Sequence, residues 1–281
     1  MARGSAALAS AFGLATAILL SFIALPLVAL FARLPIHDLA AELRSPVAVD
    51  ALVVSVKTST IAVALMVVLG TPAAYLLATR SFRGSSLVTT MLELPLVLPP
   101  AVAGLALFAA FGRFGVAGGA LRAFGVELPF TQAAVVMALA FVASPFYVRQ
   151  ALAAFASVDP ELLSAARTLG ASEAAAFARV AVPLARSGLT AGVGLALARA
   201  LGEFGATIMF AGSLQGRTQT LPLAIYGRFS AGDLTGAVVM AALLVAASGG
   251  LLVGVKVLVR RSGQREGRSW SIASRPASVI G

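Results

Sequence analysis

The chain has 281 residues, of which 59% are hydrophobic and only 11% charged, and its mean hydropathy is +0.97. A soluble globular domain carries about 25% charged residues, so the deficit excludes one and points to an integral membrane protein. There is no cysteine, which excludes a disulfide framework, a thiolate metal site and a cysteine nucleophile, and the single histidine, His37, leaves no histidine cluster for a metal. The formal net charge of +10 reads as the positive-inside bias of a membrane protein rather than as a nucleic-acid footprint, and no cofactor is expected.

An apolar run needs about 20 residues to cross the hydrocarbon core. Six stretches qualify: Ala6–Phe31, Val49–Ala78, Leu87–Phe111, Thr131–Phe155, Gly188–Ala211 and Leu234–Val259. The expected fold class is therefore an all-α integral membrane protein with six transmembrane helices. Six spans put both termini on one side. With the termini in the cytoplasm, twelve arginines fall inside and six outside, which favours that orientation. The chain divides into a first helix and outer loop (1–48), a membrane core (49–260) and a basic cytoplasmic tail (261–281) whose serines and arginines read as disordered.

In chain order, the first run is too long for a signal peptide's apolar region and lacks a small-residue cleavage site, so an uncleaved helix is expected. The loop from Arg33 to Asp50 reads as solvated. Lys57, near the outer end of the second span, either snorkels to the interface or stands as a cation at the mouth of an anion pathway. Gly70-Thr71-Pro72 predicts a kink. The third span holds Glu93, Pro95, Pro99 and Pro100. Its prolines break the hydrogen-bond ladder, and broken backbone in a membrane must be buried in protein or line a cavity. Phe111–Pro129 is glycine-rich and reads as an outer loop with a short surface helix, and Pro145 marks a kink in the fourth span.

The fifth span carries Arg199 and Glu203 four residues apart, on one face of a continuous helix. Each costs about 2.5–3.5 kcal/mol at mid-bilayer on insertion scales, so both must face protein or water. One reading is a structural ion pair; the other is a role in a gate or in attracting an anion. Gly188, Gly192, Ala198, Gly202 and Ala206 let neighbouring helices approach closely.

The stretch Ser157–Pro183 is polar amid apolar segments, so it sits at a membrane surface. Asp159 can cap a helix that starts at Pro160, where proline's missing N–H costs nothing, and Glu161 adds negative charge to its positive end. Gly170 supplies a left-handed terminator. Ser172 can cap a second helix that runs until Pro183 forbids continuation. The result is a compact knob suited to a partner's groove.

Ser164-Ala165-Ala166-Arg167-Thr168-Leu169-Gly170, nine residues, then Val180-Ala181-Val182-Pro183 resembles the coupling loop of the type I ABC importer permeases. That pattern is Glu-Ala-Ala, three residues, Gly, nine residues, Ile-x-Leu-Pro. The alanines, glycine and proline fall in register, and Ser164 stands where the pattern has Glu. Arg199-Ala-Leu-Gly-Glu-Phe-Gly-Ala206-Thr-Ile with Gly216-Arg-Thr-Gln-Thr-Leu-Pro-Leu-Ala-Ile-Tyr226 looks most like the molybdate importer permeases. Sulfate importer permeases share the Gly-Glu-Phe-Gly-Ala part.

The resemblance implies a multi-pass permease of a bacterial or archaeal cytoplasmic membrane. It implies a homodimer in lipid, with two ABC ATPase subunits and an extracytoplasmic solute-binding protein. Ser164, Ala165, Ala166, Arg167, Leu169, Gly170 and Pro183 are the expected ATPase-coupling residues. Lys57, Glu93, Pro99, Pro100, Arg199 and Glu203 are the candidate pathway or gate residues. The chain has no phosphate-binding Gly-x4-Gly-Lys-Ser/Thr loop, since its only lysines, Lys57 and Lys256, follow no glycine. It is expected to do no covalent chemistry, so energy must come from another subunit. An alternative is a sulfate or thiosulfate permease with the same machinery. A more distant one is an ion-driven secondary transporter, which would show inverted repeats.

Overall fold

The structure is a computed structural model that describes residues 2–34 and 36–273. Among them every regular element is a helix. Helix α1 (Ala2–Ala32) is apolar on all sides, and its candidate span, Ser10–Ala32, is 0% buried by the rest of the chain. The expected outer loop holds an eight-residue helix, α2 (Ile36–Leu43), where the sequence suggested an irregular segment. Ser45 then caps α3 (Pro46–Thr79) by accepting the Ala48 N–H at 3.2 Å, with Pro46 in the first turn. That 34-residue helix runs unbroken through Pro72. The Thr71 hydroxyl beside this proline bonds the Val67 carbonyl at 2.6 Å and the Tyr147 hydroxyl at 2.5 Å.

The third span is interrupted. Helix α4 (Ser85–Glu93) passes into a tight turn at Leu94–Leu96, and α5 (Pro100–Phe111) leaves it at 114°. Helix α6 (Gly118–Ala123) is the short helix of the glycine-rich loop. Helix α7 (Gln132–Ala156) is capped by Thr131, which accepts the Ala134 N–H at 3.2 Å. Pro145 lies inside α7 without breaking it.

Helices α8 (Pro160–Thr168) and α9 (Glu173–Ala176) follow. A wide π-turn at Phe177–Ala181 then joins α9 to α10 (Val182–Leu201). Helix α11 (Gly205–Ala211), α12 (Leu221–Ser230) and α13 (Leu234–Ala273) complete the chain. Five of these elements are long and apolar enough to cross a membrane, or six if α4 and α5 together count as one bent span.

Two expectations change here. The fifth apolar helix is Glu173–Leu201, not Gly188–Ala211. Pro183 sits in the first turn of α10 and does not end the helix. Immediately before it the chain widens into the π-turn, where the Val182 N–H bonds the Phe177 carbonyl five residues back. The wider ring takes up the missing donor and the steric bulk of the proline. The tail is the second change. α13 is helical through Ala273, so 261–273 is not the disordered segment that its composition suggested, and no proline interrupts it before Pro276. Residues 274–281 lie outside the described residues.

Helix α7 is the spine, with 56% of its most apolar window buried, against α3 on one side and α10 on the other. Lipid tails are as apolar as leucine, so close packing must hold such helices together, and small residues allow it. A Cβ added at Gly70 would lie 3.1 Å from the Tyr147 ring, one at Gly188 would lie 2.5 Å from Ala154 Cβ, and one at Gly192 3.2 Å from Gln150 Cβ. The large buried side chains are Tyr147, Phe155, Phe210 and Leu139, with alanines between them. The outward faces of α1, α3 and α5 show Phe22, Val68, Leu69 and Leu105 more than half exposed, a surface suited to hydrocarbon or to another membrane chain.

A charged clamp ties the ends of three helices. The Arg228 guanidinium donates to Glu42 at 2.9 Å and to Asp233 at 2.5 Å, and Asp233 also accepts the Gly236 N–H at 2.9 Å. This holds α2 against the turn between α12 and α13. The Gly236 N–H, and then Arg228, keep the Asp233 carboxyl below its ordinary pKa. A group with a depressed folded pKa stabilises above its unfolded value, and that stability is lost as pH falls through the folded one. Acidification below the ordinary carboxylate range is therefore expected to lower the unfolding temperature of the intact protein. Arg228→Ala should lower it at neutral pH and flatten the acid limb. Parallel limbs for the two proteins would sink this reading.

Candidate functional site

The knob between α7 and α10 is built as the local chemistry dictates. Asp159 accepts the Glu161 N–H at 2.9 Å and Pro160 occupies the first helical turn. Gly170 ends α8 with φ +89, a conformation that side chains rarely adopt. Around it the Leu169 N–H bonds Ala165 at 3.0 Å, the Gly170 N–H bonds Arg167 at 2.9 Å and the Ala171 N–H bonds Ala166 at 3.0 Å. Ser172 caps α9 by accepting the Ala175 N–H at 3.2 Å.

Ser164, Ala165, Arg167, Leu169 and Gly170 are all exposed, Leu169 at 89%. The Ser164 hydroxyl donates to the Pro160 carbonyl at 3.0 Å and so is turned back along its own helix. Ala166 is half-buried against the core, beside Leu163 at 3% exposure. Pro183 is exposed as well but stands apart from this group, in the first turn of the following helix.

Two contacts that the sequence did not reveal fasten the knob. The rings of Tyr75 on α3, Phe155 on α7 and Phe177 in the π-turn form a triangle with centroids 5.4, 4.8 and 6.1 Å apart. Arg80, in the turn after α3, pairs with Glu173 at the start of α9. Aromatic residues at the membrane ends of three separate helices carry no spacing signal in one sequence, so only the fold brings them together.

The remaining candidates other than Lys57 gather at two interruptions. In the third span Pro95, Pro99 and Pro100 each fall where a helix begins, positions at which a missing donor is tolerated. Pro99 and Pro100 are exposed. Just before the break, Glu93 receives the Arg149 Nε of α7 at 3.2 Å.

The fifth span breaks as well. α10 ends at Leu201 and Gly202–Phe204 are not helical, so Arg199 and Glu203 do not share one continuous helix. Their pair instead bridges the break: the Arg199 guanidinium donates to Glu203 Oε2 at 2.6 Å. Glu203 is 2% exposed, and its other oxygen accepts the Ala206 N–H at 2.7 Å, in the first turn of α11. The acid thus does for α11 what a cap residue does for any helix, while Arg199 balances its charge. Lys57 stands apart from both breaks, exposed, donating to Gln132 at the start of α7 at 2.8 Å.

The two broken spans meet. A Cβ on Gly205 would lie 2.6 Å from Pro100 Cβ, and one on Gly104 would lie 2.7 Å from both the Ala206 carbonyl oxygen and Met209 Cβ. α5 and α11 therefore run side by side, starting ends together, in backbone contact. Ala206 was legible as a small residue, but its counterpart Gly104 was not, because one glycine on an apolar helix gives no direction.

Interrupted spans packed together in a membrane, with a structured knob at one surface, define the membrane domain of a transporter. The chain belongs to the family described as binding-protein-dependent transport system inner membrane component, which matches residues 67–262. It is 43% identical over 236 residues to the molybdenum transport system permease protein ModB of Mycobacterium tuberculosis, covering 83% of this chain and 88% of the relative. It is 38% identical to ModB of Escherichia coli, covering 78% and 96% of the two chains. With a molybdenum permease described as probable in Haloferax volcanii the identity is 39%, covering 88% and 87%.

Among solved structures it resembles a chain of a bacterial ABC transporter for the acidic polysaccharide alginate, with TM-score 0.69 at 16% identity, covering 90% and 95% of the two chains. It also resembles a chain of the MetNI methionine ABC transporter, with TM-score 0.60 at 18% identity, covering 77% and 96%. The fold is that of a type I ABC importer transmembrane domain, and the protein is a multi-pass membrane permease.

Proposed function

We propose that this chain is the permease subunit of an ATP-driven oxyanion importer and that its substrate is molybdate, grouped with its analogue tungstate, the alternative being sulfate or thiosulfate. The observation that carries the substrate is identity of 43% across 83% of the chain to a molybdenum permease. Two copies form the pathway, two ABC ATPase subunits bind on the cytoplasmic side, and a solute-binding protein delivers the anion from outside. Both termini and the knob face the cytoplasm, in keeping with the arginine distribution.

Ser164, Ala165, Ala166, Arg167, Leu169 and Gly170 form the surface that seats in the ATPase, with Pro183 at the root of the rod behind it. The exposed, rigidly capped α8 and the left-handed Gly170 support this. Closure of the ATPase pair drives the two knobs together and switches the helices between outward- and inward-facing arrangements by rigid-body movement. Lys57, Glu93, Pro99, Pro100, Arg199 and Glu203 belong to the pathway or its gate. Broken backbone within apolar spans, tolerated in a membrane only where protein or a cavity covers it, supports that role for the two interruptions.

The test is ATP hydrolysis by the reconstituted complex with its binding protein, adding molybdate or sulfate separately. Stimulation by molybdate alone is expected. Stimulation by sulfate would retain the importer and replace its substrate. Failure of any ATPase subunit to co-purify with the permease would overturn the coupling role of the knob and bring an ion-driven carrier forward.

A further inference from the structure

Helices α5 and α11 are each bounded at both ends by non-helical joints. α5 lies between the Pro99 joint and Gly112, and α11 lies between Gly202–Phe204 and Gly212, whose φ is +67. Between those joints the two helices touch through Gly104, Gly205 and Ala206 with no room for a further methyl group. Packing that tight does not slide gradually, so the two helices keep step with each other, with α11 resting on α7 through buried Ala206, Phe210 and Ala211.

Both starting joints carry an arginine–glutamate pair. In each, the glutamate sits on the chain entering the two-helix body, at Glu93 before α5 and at Glu203 before α11. The arginine in each sits on a helix that grows out of the knob. Arg149 is on α7, which leads into α8. Arg199 is near the far end of the continuous 29-residue rod Glu173–Leu201, which begins in the knob. Helix formation alone does not require this arrangement. A neutral side chain at 203 would satisfy the Ala206 N–H, whereas a buried ion pair carries a desolvation cost that only good geometry offsets. A pair buried like Arg199–Glu203 is best understood where it sets one arrangement against another; Arg149–Glu93 is largely exposed and is argued from its matching position at the other joint.

We propose that α5 and α11 move as a single gate element, and that Arg149–Glu93 and Arg199–Glu203 are positioning pairs through which movement of the knob sets the gate's resting position. The inference rests on the importer reading above. It adds Arg149 to the residues on which transport depends and gives each pair a mechanical place: knob, rod, arginine, glutamate, gate.

The experiment uses the complete complex, with ATPase and binding protein, in proteoliposomes. The readouts are leak of preloaded molybdate without ATP and the ATP hydrolysed per anion imported. Glu203→Gln is expected to raise the leak by about tenfold or more, the scale set by losing a buried charged hydrogen bond, and Arg149→Glu, at a pair largely open to solvent, by about fivefold; both should raise the ATP cost per anion. The exchanged pair Glu93→Arg with Arg149→Glu should return the leak to within about twofold of the unaltered complex, since the same contact re-forms with its charges reversed. Arg199→Glu with Glu203→Arg should not recover, because the Ala206 N–H loses its acceptor. Unchanged leak and unchanged ATP per anion, with uptake falling only as assembled complex falls, would reduce both pairs to structural props. So would an exchanged pair at 93 and 149 that leaks like Arg149→Glu. Absence of anion import by the unaltered complex would overturn the importer reading itself, before any variant is measured.

Discussion

Gly170→Val is expected to abolish anion uptake while leaving the amount of permease in the membrane unchanged. Nothing lies within 4 Å of a Cβ added at Gly170, so the penalty is not one of space. It is one of backbone conformation: φ is +89, and a β-branched residue there is strained by about 1–3 kcal/mol, which lowers the population of the native turn by roughly 5- to 150-fold. The turn fixes the angle between α8 and α9 and presents Leu169. The helices that cross the membrane are not touched, so insertion survives.

Gly170→Asn should retain much of the activity, because asparagine visits the left-handed region routinely. Ala166→Asp is expected to match the valine variant by a different route, placing a carboxylate on the half-buried face that packs against the core. The measurement is uptake into membrane vesicles, set beside permease content and co-purified ATPase. Normal uptake by Gly170→Val would remove the knob from the coupling route.

Gly104→Val should produce the largest loss of stability. Its Cβ would fall 2.7 Å from the Ala206 carbonyl oxygen, 2.9 Å from Ala206 Cα and 2.7 Å from Met209 Cβ. Two of those atoms are backbone and cannot rotate away, so α5 and α11 must separate. Overpacking of this kind costs about 1–3 kcal/mol when side chains can adjust, and this site allows less adjustment. The thermal midpoint of the purified permease should drop by several degrees, on the scale of about 2–4 °C per kcal/mol for a chain of this size. Gly249→Ala in α13, where nothing lies within 4 Å, is the control and should leave the midpoint level or slightly raised. Equal midpoints for the two variants would mean that α5 and α11 are not held at this contact.

Much was decided by the sequence alone, and the reason is locality. An apolar run of membrane-spanning length, the Asp159-Pro160 start, the Gly170 stop and the Ser172 cap each involve residues a few positions apart. Their chemistry permits one local outcome, and the knob follows it bond for bond. The break in the third span was legible because Pro95, Pro99 and Pro100 cluster there and remove several donors together, whereas the lone Pro72 and Pro145 leave their helices unbroken.

The fold decided what depends on residues far apart in the chain. Pro183 read as a stop, but the π-turn ahead of it lets the helix continue, and tertiary packing of that helix on α7 outweighs local propensity. Arg199 and Glu203 read as neighbours on one helix face. They instead span a break, because Glu203 gains a backbone partner at Ala206 only when the chain stops being helical. The meeting of Gly104 with Ala206, of Glu93 with Arg149 and of Tyr75 with Phe155 and Phe177 had no sequence signature at all. A period along a helix tells which residues share a face, and only the tertiary structure tells which face meets it.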